Sequence, residues 1–216
     1  MIELYGYWRS SAAYRVRIAL NLKGLEARHH YVNLRRGEQR GNAYRALNPF
    51  GRVPTMVEDG TAFTQSLAIL EYLEESHPEP PLLPAEAAHR ARVRALADVV
   101  ACDMHPINNL SVLNYLENEL KVKKDQKLGW YRHWVHEGFA ALEAMLADDP
   151  STGRFCHGDA PSLADVCLVP QVYNARRFDC DLTAYPTIRR IDGACAELEA
   201  FQRAAPEAQD DAAPPA

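Results

Sequence analysis

Arg9-Ser10-Ser11-Ala12-Ala13-Tyr14-Arg15-Val16-Arg17-Ile18-Ala19-Leu20 sets two hydroxyls and several cations where a strand gives way to a helix. Before it, Ile2-Glu3-Leu4-Tyr5-Gly6-Tyr7 is short, aromatic and β-branched; after it, Tyr14, Ile18 and Leu22 recur at four-residue spacing and Gly24 offers a C-cap. The reading is strand, turn, helix. Ser10 or Ser11 can cap the first backbone N–H groups, and such a helix start attracts a phosphate, carboxylate or thiolate. A serine cap with no ligand satisfies the same residues, so this stretch alone leaves both readings open.

Outward from it, residues 27–33 read as a second strand, and residues 53–64 as two strands joined by the Asp59-Gly60 hairpin. Leu67, Leu70 and Leu73, with Ile69 and Tyr72 beside them, give a helical period that His77-Pro78 stops. The order is β-α-β, a connecting segment, then β-β-α, the pattern of a thioredoxin-like half. Pro54 stands just before a strand, where it leaves the ladder intact.

The proline-dense stretch His77–Pro84 marks a domain boundary, and beyond it no strand pattern recurs. We therefore expect a thioredoxin-like domain over residues 1–80, a linker over 81–88 and an all-helical domain over 89–216. Val93, Leu96, Val100 and Met104 mark one face of a long helix that His105-Pro106 should kink or break before Leu110. Trp130, Trp134, Phe139, Leu142 and Leu146 suggest another. Ser162-Leu163-Ala164-Asp165 has capping-box spacing and opens a third. The Ala/Pro/acid-rich tail from about residue 206 reads as disordered.

Of the 216 residues, 47% are hydrophobic and 25% charged, ordinary values for a globular protein. No apolar run approaches a membrane span and the first residues lack a signal-peptide layout, so a cytoplasmic protein is expected. A formal charge of −5 without a basic stripe disfavours nucleic acid. Five cysteines, Cys102, Cys156, Cys167, Cys180 and Cys195, lack disulfide-framework or zinc spacing and read as buried, reduced thiols. The histidines show no metal-ligand spacing, so no metal is expected.

Tyr7-Trp8-Arg9-Ser10-Ser11 running into Tyr14–Leu20, then Ala46-Leu47-Asn48-Pro49, Val53-Pro54, Gln65-Ser66-Leu67-Ala68-Ile69, Asn109–Leu113 and Leu168–Val172 resemble the zeta-class glutathione transferases and maleylacetoacetate isomerases. The likeness covers nearly the whole chain. It implies the cytosolic glutathione transferase architecture: a β-α-β-α-β-β-α thioredoxin-like domain, an all-α second domain, and a homodimer. The implied activity is glutathione-dependent cis–trans isomerisation of maleylacetoacetate in phenylalanine and tyrosine breakdown. Maleylpyruvate isomerisation, general transferase or dehalogenase activity, and a non-enzymatic binding or structural role stand as alternatives. Asp103-Met104-His105-Pro106-Ile107-Asn108-Asn109 resembles the maleylpyruvate isomerases, which continue with an arginine pair where this chain has Leu110-Ser111.

The resemblance implies that Ser10, with Ser11 beside it, meets the glutathione sulfur. Val53, before a cis Pro54, would pair with the cysteinyl backbone, and Gln65 and Ser66 would hold the γ-glutamyl carboxylate. Gln39, His105, Asn109, Leu110 and Ser111 match further glutathione contacts. Arg9, Arg176 and Arg177 are the candidate cations for a dicarboxylate substrate, Arg177 matching a substrate arginine of the class and Arg176 also suiting a helix-end dipole.

Ala12 stands where the zeta pattern carries cysteine, which removes any protein thiol from the motif and rules out disulfide exchange at this turn. The sulfur must be borrowed. Lowering a thiol pKa of about 8.5 by about two units makes it mostly thiolate at neutral pH and is worth roughly 2.7 kcal/mol. A hydroxyl donating to a charged acceptor contributes about 1.5–3 kcal/mol and a helix start up to about 1 kcal/mol, so Ser10 on its helix suffices.

Overall fold

The computed structural model describes residues 1–212. The described residues form two compact units, residues 1–82 with 196–212, and Leu83–Cys195. In the first, β1 (Ile2–Gly6), α1 (Ser11–Leu22), β2 (Ala27–Tyr31), α2 (Asn42–Leu47), β3 (Thr55–Glu58), β4 (Thr61–Thr64) and α3 (Ser66–Ser76) follow the expected order. The sheet runs β2-β1-β3-β4; β1 is parallel to β2 and antiparallel to β3, and β3 and β4 form the hairpin across Asp59-Gly60. Leu4, Val16, Ile18, Met56, Ile69, Leu70 and Leu73 are buried in its core.

The spacing of Tyr14, Ile18 and Leu22 suggested a helix with one buried face, but α1 is buried from Ala13 through Leu20 while Leu22 is only half-buried. The reason is a second layer. Helix α1 packs against both α3 and a short late helix, Glu199–Ala204. Polar side chains of α1 tie that helix down: the buried Arg17 Nε donates to Ala204 O at 2.9 Å and the half-buried Asn21 Nδ2 to Ala200 O at 2.9 Å.

The end of the chain therefore departs from expectation. Residues 196–212 pack with the sheet unit, not with the helical one. Expected disorder from about 206 gives way to a 3-10 turn over Pro206–Ala208 and a hydrogen bond from Trp8 N to Asp211 Oδ2, because the buried Trp8 turn and α1 offer donors that the tail satisfies. The remainder of that expectation, residues 213–216, lies outside the described residues.

At the other end of α1, the wholly buried Lys23 ammonium donates to Glu74 Oε2 (2.8 Å), His77 O (2.8 Å) and Pro80 O (3.1 Å). Glu74 also accepts Leu82 N–H, so one ion pair fastens the proline-dense stretch.

The second unit holds α4 (Ala87–Asp98), α5 (His105–Asn108), α6 (Leu110–Asn118), α7 (Lys124–Ala147), α8 (Leu163–Arg177) and α9 (Pro186–Ala196); Glu199–Ala204 is α10. No strand follows Thr64 among the described residues. Nor is any described helix long and apolar enough to cross a membrane. Pro106 does not break the helix where it stands. A π turn over Val99–Met104 lets the chain run on to Asn108, since the wider turn accommodates a residue that lacks an N–H and crowds the preceding carbonyl. The break comes at Asn109, which caps α6.

On α7 the fully buried stripe is Tyr131, Val135, Phe139, Leu142 and Leu146, with Trp130 and Trp134 only half-buried, one position off the expected face. Gly138 lies where α7 touches the π turn: a Cβ there would meet the Met104 side chain, with Sδ at 2.1 Å, so a larger residue would require that side chain to move.

The capping box is present at α8. Asp165, fully buried, accepts from Ser162 N, Ser162 Oγ and Cys156 N, each at 2.8 Å. Asp165→Ala leaves three buried donors without their acceptor, so a loss of about 3 kcal/mol and a drop of several degrees in thermal midpoint are expected. Calorimetry of the two proteins checks this, and an unchanged midpoint would refute it.

Candidate active site

Three segments meet at one end of the sheet because the strand register brings them there. Tyr5, near the end of β1, lies opposite Thr55 at the start of β3, and Thr55 lies opposite Thr64 at the end of β4. The chain beyond those three residues is Tyr7–Ser11, Val53-Pro54 and Gln65-Ser66. A pattern reading gives each piece; the register assembles them.

Ser10 is the N-cap of α1, extended at φ −74°, ψ 119°, and its Oγ accepts Ala13 N–H at 3.3 Å. Accepting there leaves the hydroxyl hydrogen to donate elsewhere. Ser11 is the first residue of the helix and is buried. The turn is closed by Ser10 N donating to Tyr7 O at 2.9 Å, and the Arg9 guanidinium lies 4.9 Å from the centre of the buried Trp8 ring.

The Val53-Pro54 peptide is cis, and its neighbours are held by α2 and the residue after it. Tyr44 Oη (2.8 Å) and Asn48 Nδ2 (2.7 Å) both donate to Arg52 O, while Thr55 Oγ1 lies 2.9 Å from Tyr44 Oη. Gln39 belongs to a 3-10 turn over Glu38–Arg40. Gly51, in the left-handed region at φ 64°, allows that turn to approach, since a Cβ there would stand 3.0 Å from Gln39 O. Gln39 Oε1 is buried with no protein partner. A buried amide oxygen in that condition marks a place for a ligand or water.

Gln65, the N-cap of α3, has φ 67° and ψ 117°, a conformation costing a non-glycine residue about 1–3 kcal/mol. Its exposed side chain makes no cap bond of its own. Ser66 is buried, and its Oγ accepts from Arg15 Nη1 at 3.2 Å. Arg15, 2% exposed, places a cation beneath the first turn of α3, which adds to the pull of that helix start on an anion. Sequence reasoning passed over Arg15. The available signal was its position one turn beyond Ser11, on the strip of α1 that faces α3.

A cavity of about 280 Å³ also opens on this unit, lined by Tyr7, Trp8, Tyr31, Asn33, Arg35, Glu38 and Asp211. It touches the turn at Tyr7-Trp8 but includes none of Ser10, Val53, Gln65 and Ser66. The candidate site is therefore defined by the converging segments, not by the cavity.

The remaining candidates lie in the helical unit. Asn109 is occupied as the cap of α6: Oδ1 accepts from Ser111 N, Val112 N and Ser111 Oγ, and Nδ2 donates to Pro106 O. Leu110 and Ser111 are exposed, and His105 is half-buried at the start of α5. Arg176 donates to the buried Asp192 carboxylate of α9 at 2.6 Å, whereas the exposed Arg177 lies over the Phe178 ring at 4.7 Å.

Four cysteines are buried, as expected, but Cys102 is exposed on the π turn, whose outward positions the alternation of α4 did not reveal. Burial pushes the thiols of Cys156 and Cys195 far up, and that of Cys180 to about 11, so none of these three supplies a thiolate at neutral pH. Among the described residues no three His, Cys, Asp or Glu side chains are grouped to hold a metal ion.

Comparison with known proteins identifies the family. The glutathione S-transferase N-terminal domain family matches residues 9–76, and the C-terminal domain family residues 135–179. Maleylpyruvate isomerase from Ralstonia sp is 50% identical over 212 residues, covering 98% of this chain and 100% of that protein. The holo structure of a maleyl pyruvate isomerase, a bacterial zeta-class glutathione S-transferase, superimposes with a TM-score of 0.95 at 51% identity over 98% of this chain and 100% of that one. Maleylacetoacetate isomerase from Anaeromyxobacter dehalogenans 2CP-1, with dicarboxyethyl glutathione and citrate in its active site, gives 0.88 at 50% identity over 99% and 98%. This chain belongs to the zeta class of the glutathione S-transferase family.

Proposed function

We propose that the protein is a glutathione-dependent cis–trans isomerase that converts maleylacetoacetate to fumarylacetoacetate. The observation that carries the reading is the register Tyr5–Thr55–Thr64, which gathers a capping serine, a cis-proline edge and a strained helix start at one end of the sheet. Glutathione fits these groups. It has a carboxylate for the start of α3 above Arg15, a backbone for the Val53 edge, and polar atoms for the unpartnered Gln39 Oε1. When bound, glutathione supplies the nucleophilic sulfur that this chain lacks, for reversible addition to the carbon–carbon double bond beside a carbonyl.

The chain's own residues then have separable tasks. Ser10 donates its hydroxyl hydrogen to the sulfur and holds it ionised, with the first N–H groups of α1 adding their partial charge. Gln65, held at positive φ, presents its side chain and the start of α3 to the carboxylate. By family resemblance Arg177, in the helical unit, is the candidate cation for the dicarboxylate, and Arg9, in the sheet unit, is a further candidate; each has its guanidinium braced on an aromatic ring of its own unit. Arg176 serves structure, because its charge is committed to Asp192. Asn109 likewise serves as a cap. The two carboxylates of the dicarboxyethyl glutathione bound by the Anaeromyxobacter protein support a substrate of this class.

Maleylpyruvate is the second reading, favoured by the matching identity to the Ralstonia protein. Leu110-Ser111, in place of an arginine pair, weighs for the longer substrate. The family resemblance further implies a cytoplasmic homodimer.

Side-by-side absorbance assays of both substrates, with and without glutathione, decide the matter; turnover without glutathione would end the proposal. Ser10→Ala should lower kcat about 100-fold with glutathione affinity nearly unchanged, as loss of a charge-assisted bond predicts. Near-normal turnover of that variant removes Ser10 from its role. Arg177→Ala should raise KM for the dicarboxylate at least about tenfold while changing KM for glutathione less than about twofold. Equal effects on both would count against Arg177.

A further inference from the structure

We infer that the chain's final described turn is a strap that positions the Ser10 turn, with Asp211 as its positioning residue. The ladder between β1 and β2 ends where Val32 N donates to Gly6 O at 2.8 Å, so Trp8 lies beyond the reach of the sheet. Its backbone is held instead by two side chains from distant places. Asp211 Oδ2 accepts Trp8 N–H at 3.0 Å, and Arg17 Nη2 donates to Trp8 O at 2.9 Å. Arg17 Nε binds Ala204 O, so the same guanidinium also anchors the root of the strap.

The strap is itself fastened at three further points. Gln209 Nε2 donates to Arg203 O and Ala205 O, each at 2.9 Å, and Tyr31 Oη donates to Asp210 Oδ2 at 3.1 Å. What it holds matters for chemistry: Trp8 carries the ring on which Arg9 rests, and Ser10 follows two residues later. Fixing both the N–H and the C=O of Trp8 fixes the approach of the chain to the α1 cap. Burial raises the Asp211 carboxyl, while the Trp8 N–H, Arg17 and His29 pull it back, as expected of a carboxylate drawn out of water to meet a donor. The groups facing it are Arg17 from α1, His29 and Tyr31 from β2, and Asp210 beside it.

This inference rests on the reading of Ser10 above, and its test separates the two. Hydrogen–deuterium exchange of the peptide bearing Trp8 N–H, referenced to the sheet amides of the same molecule, is compared in Asp211→Ala, Asp211→Asn and a chain ending at Ala208. Asp211→Ala and the shortened chain should expose Trp8 N–H to exchange about tenfold faster and lower kcat about five- to tenfold, with KM for glutathione within about twofold, as losing one hydrogen bond to a charged acceptor predicts. Asp211→Asn, which keeps an acceptor oxygen, should recover most of both losses. Unchanged Trp8 exchange in both Asp211→Ala and the shortened chain overturns the strap. Wild-type kcat in Asp211→Ala overturns the positioning role, whatever the exchange shows. If Ser10→Ala keeps full turnover while Asp211→Ala loses protection at Trp8, the role of Ser10 fails and the clamp on Trp8 stands.

Discussion

Arg15 and Arg17 leave α1 two residues apart, and the helical turn sends their guanidiniums to opposite flanks of it. One reaches Ser66 at the start of α3; the other joins Trp8 O to Ala204 O. Both are buried, so each charge is held by the neighbours it meets, and α1 cannot rotate or shift without stranding one of them. Everything that defines the site hangs on the start of this helix. The cap is Ser10, the turn before it is pinned through Trp8, and the facing helix start is charged from below.

Much of this architecture is legible in the residues. Short β-branched runs, the Asp59-Gly60 hairpin, the leucine spacing of α3 and the Ser162–Asp165 box each carry a local physical signal, and each element is found in its place. The signals that failed are those whose cause is distant. Tyr14 and Ile18 announce one buried face of α1, but nothing near them announces that α10 will cover the other. Pro106 announces a disturbance, yet the residues around it do not say whether the helix breaks there or widens into a π turn one turn earlier, where Met104 meets Gly138 of α7.

The site divides along the same line. Ser10 and the helix start of α3 were readable because caps obey local rules; Arg15 was missed because its function depends on what lies across from it. At Asn109 two roles overlap. Its place in the motif invites a binding role, and its side chain also caps α6 and donates to the carbonyl of Pro106. Likewise Arg176 and Arg177 are indistinguishable as neighbours in sequence, and only the position of Asp192 on α9 separates them.

The pairing of α10 with α1 has a consequence for how the molecule is made. The sheet unit is built from two separate stretches, residues 1–82 and 196–212, with the whole helical unit, Leu83–Cys195, translated between them. At about 5–20 residues per second, that intervening stretch takes on the order of ten seconds to synthesise. Throughout that interval the flank of α1 that α10 will cover stays open, and Arg17 waits for Ala204. The sheet unit, begun before the helical one, is thus completed after it, when α10 has been made and Ala204 reaches Arg17.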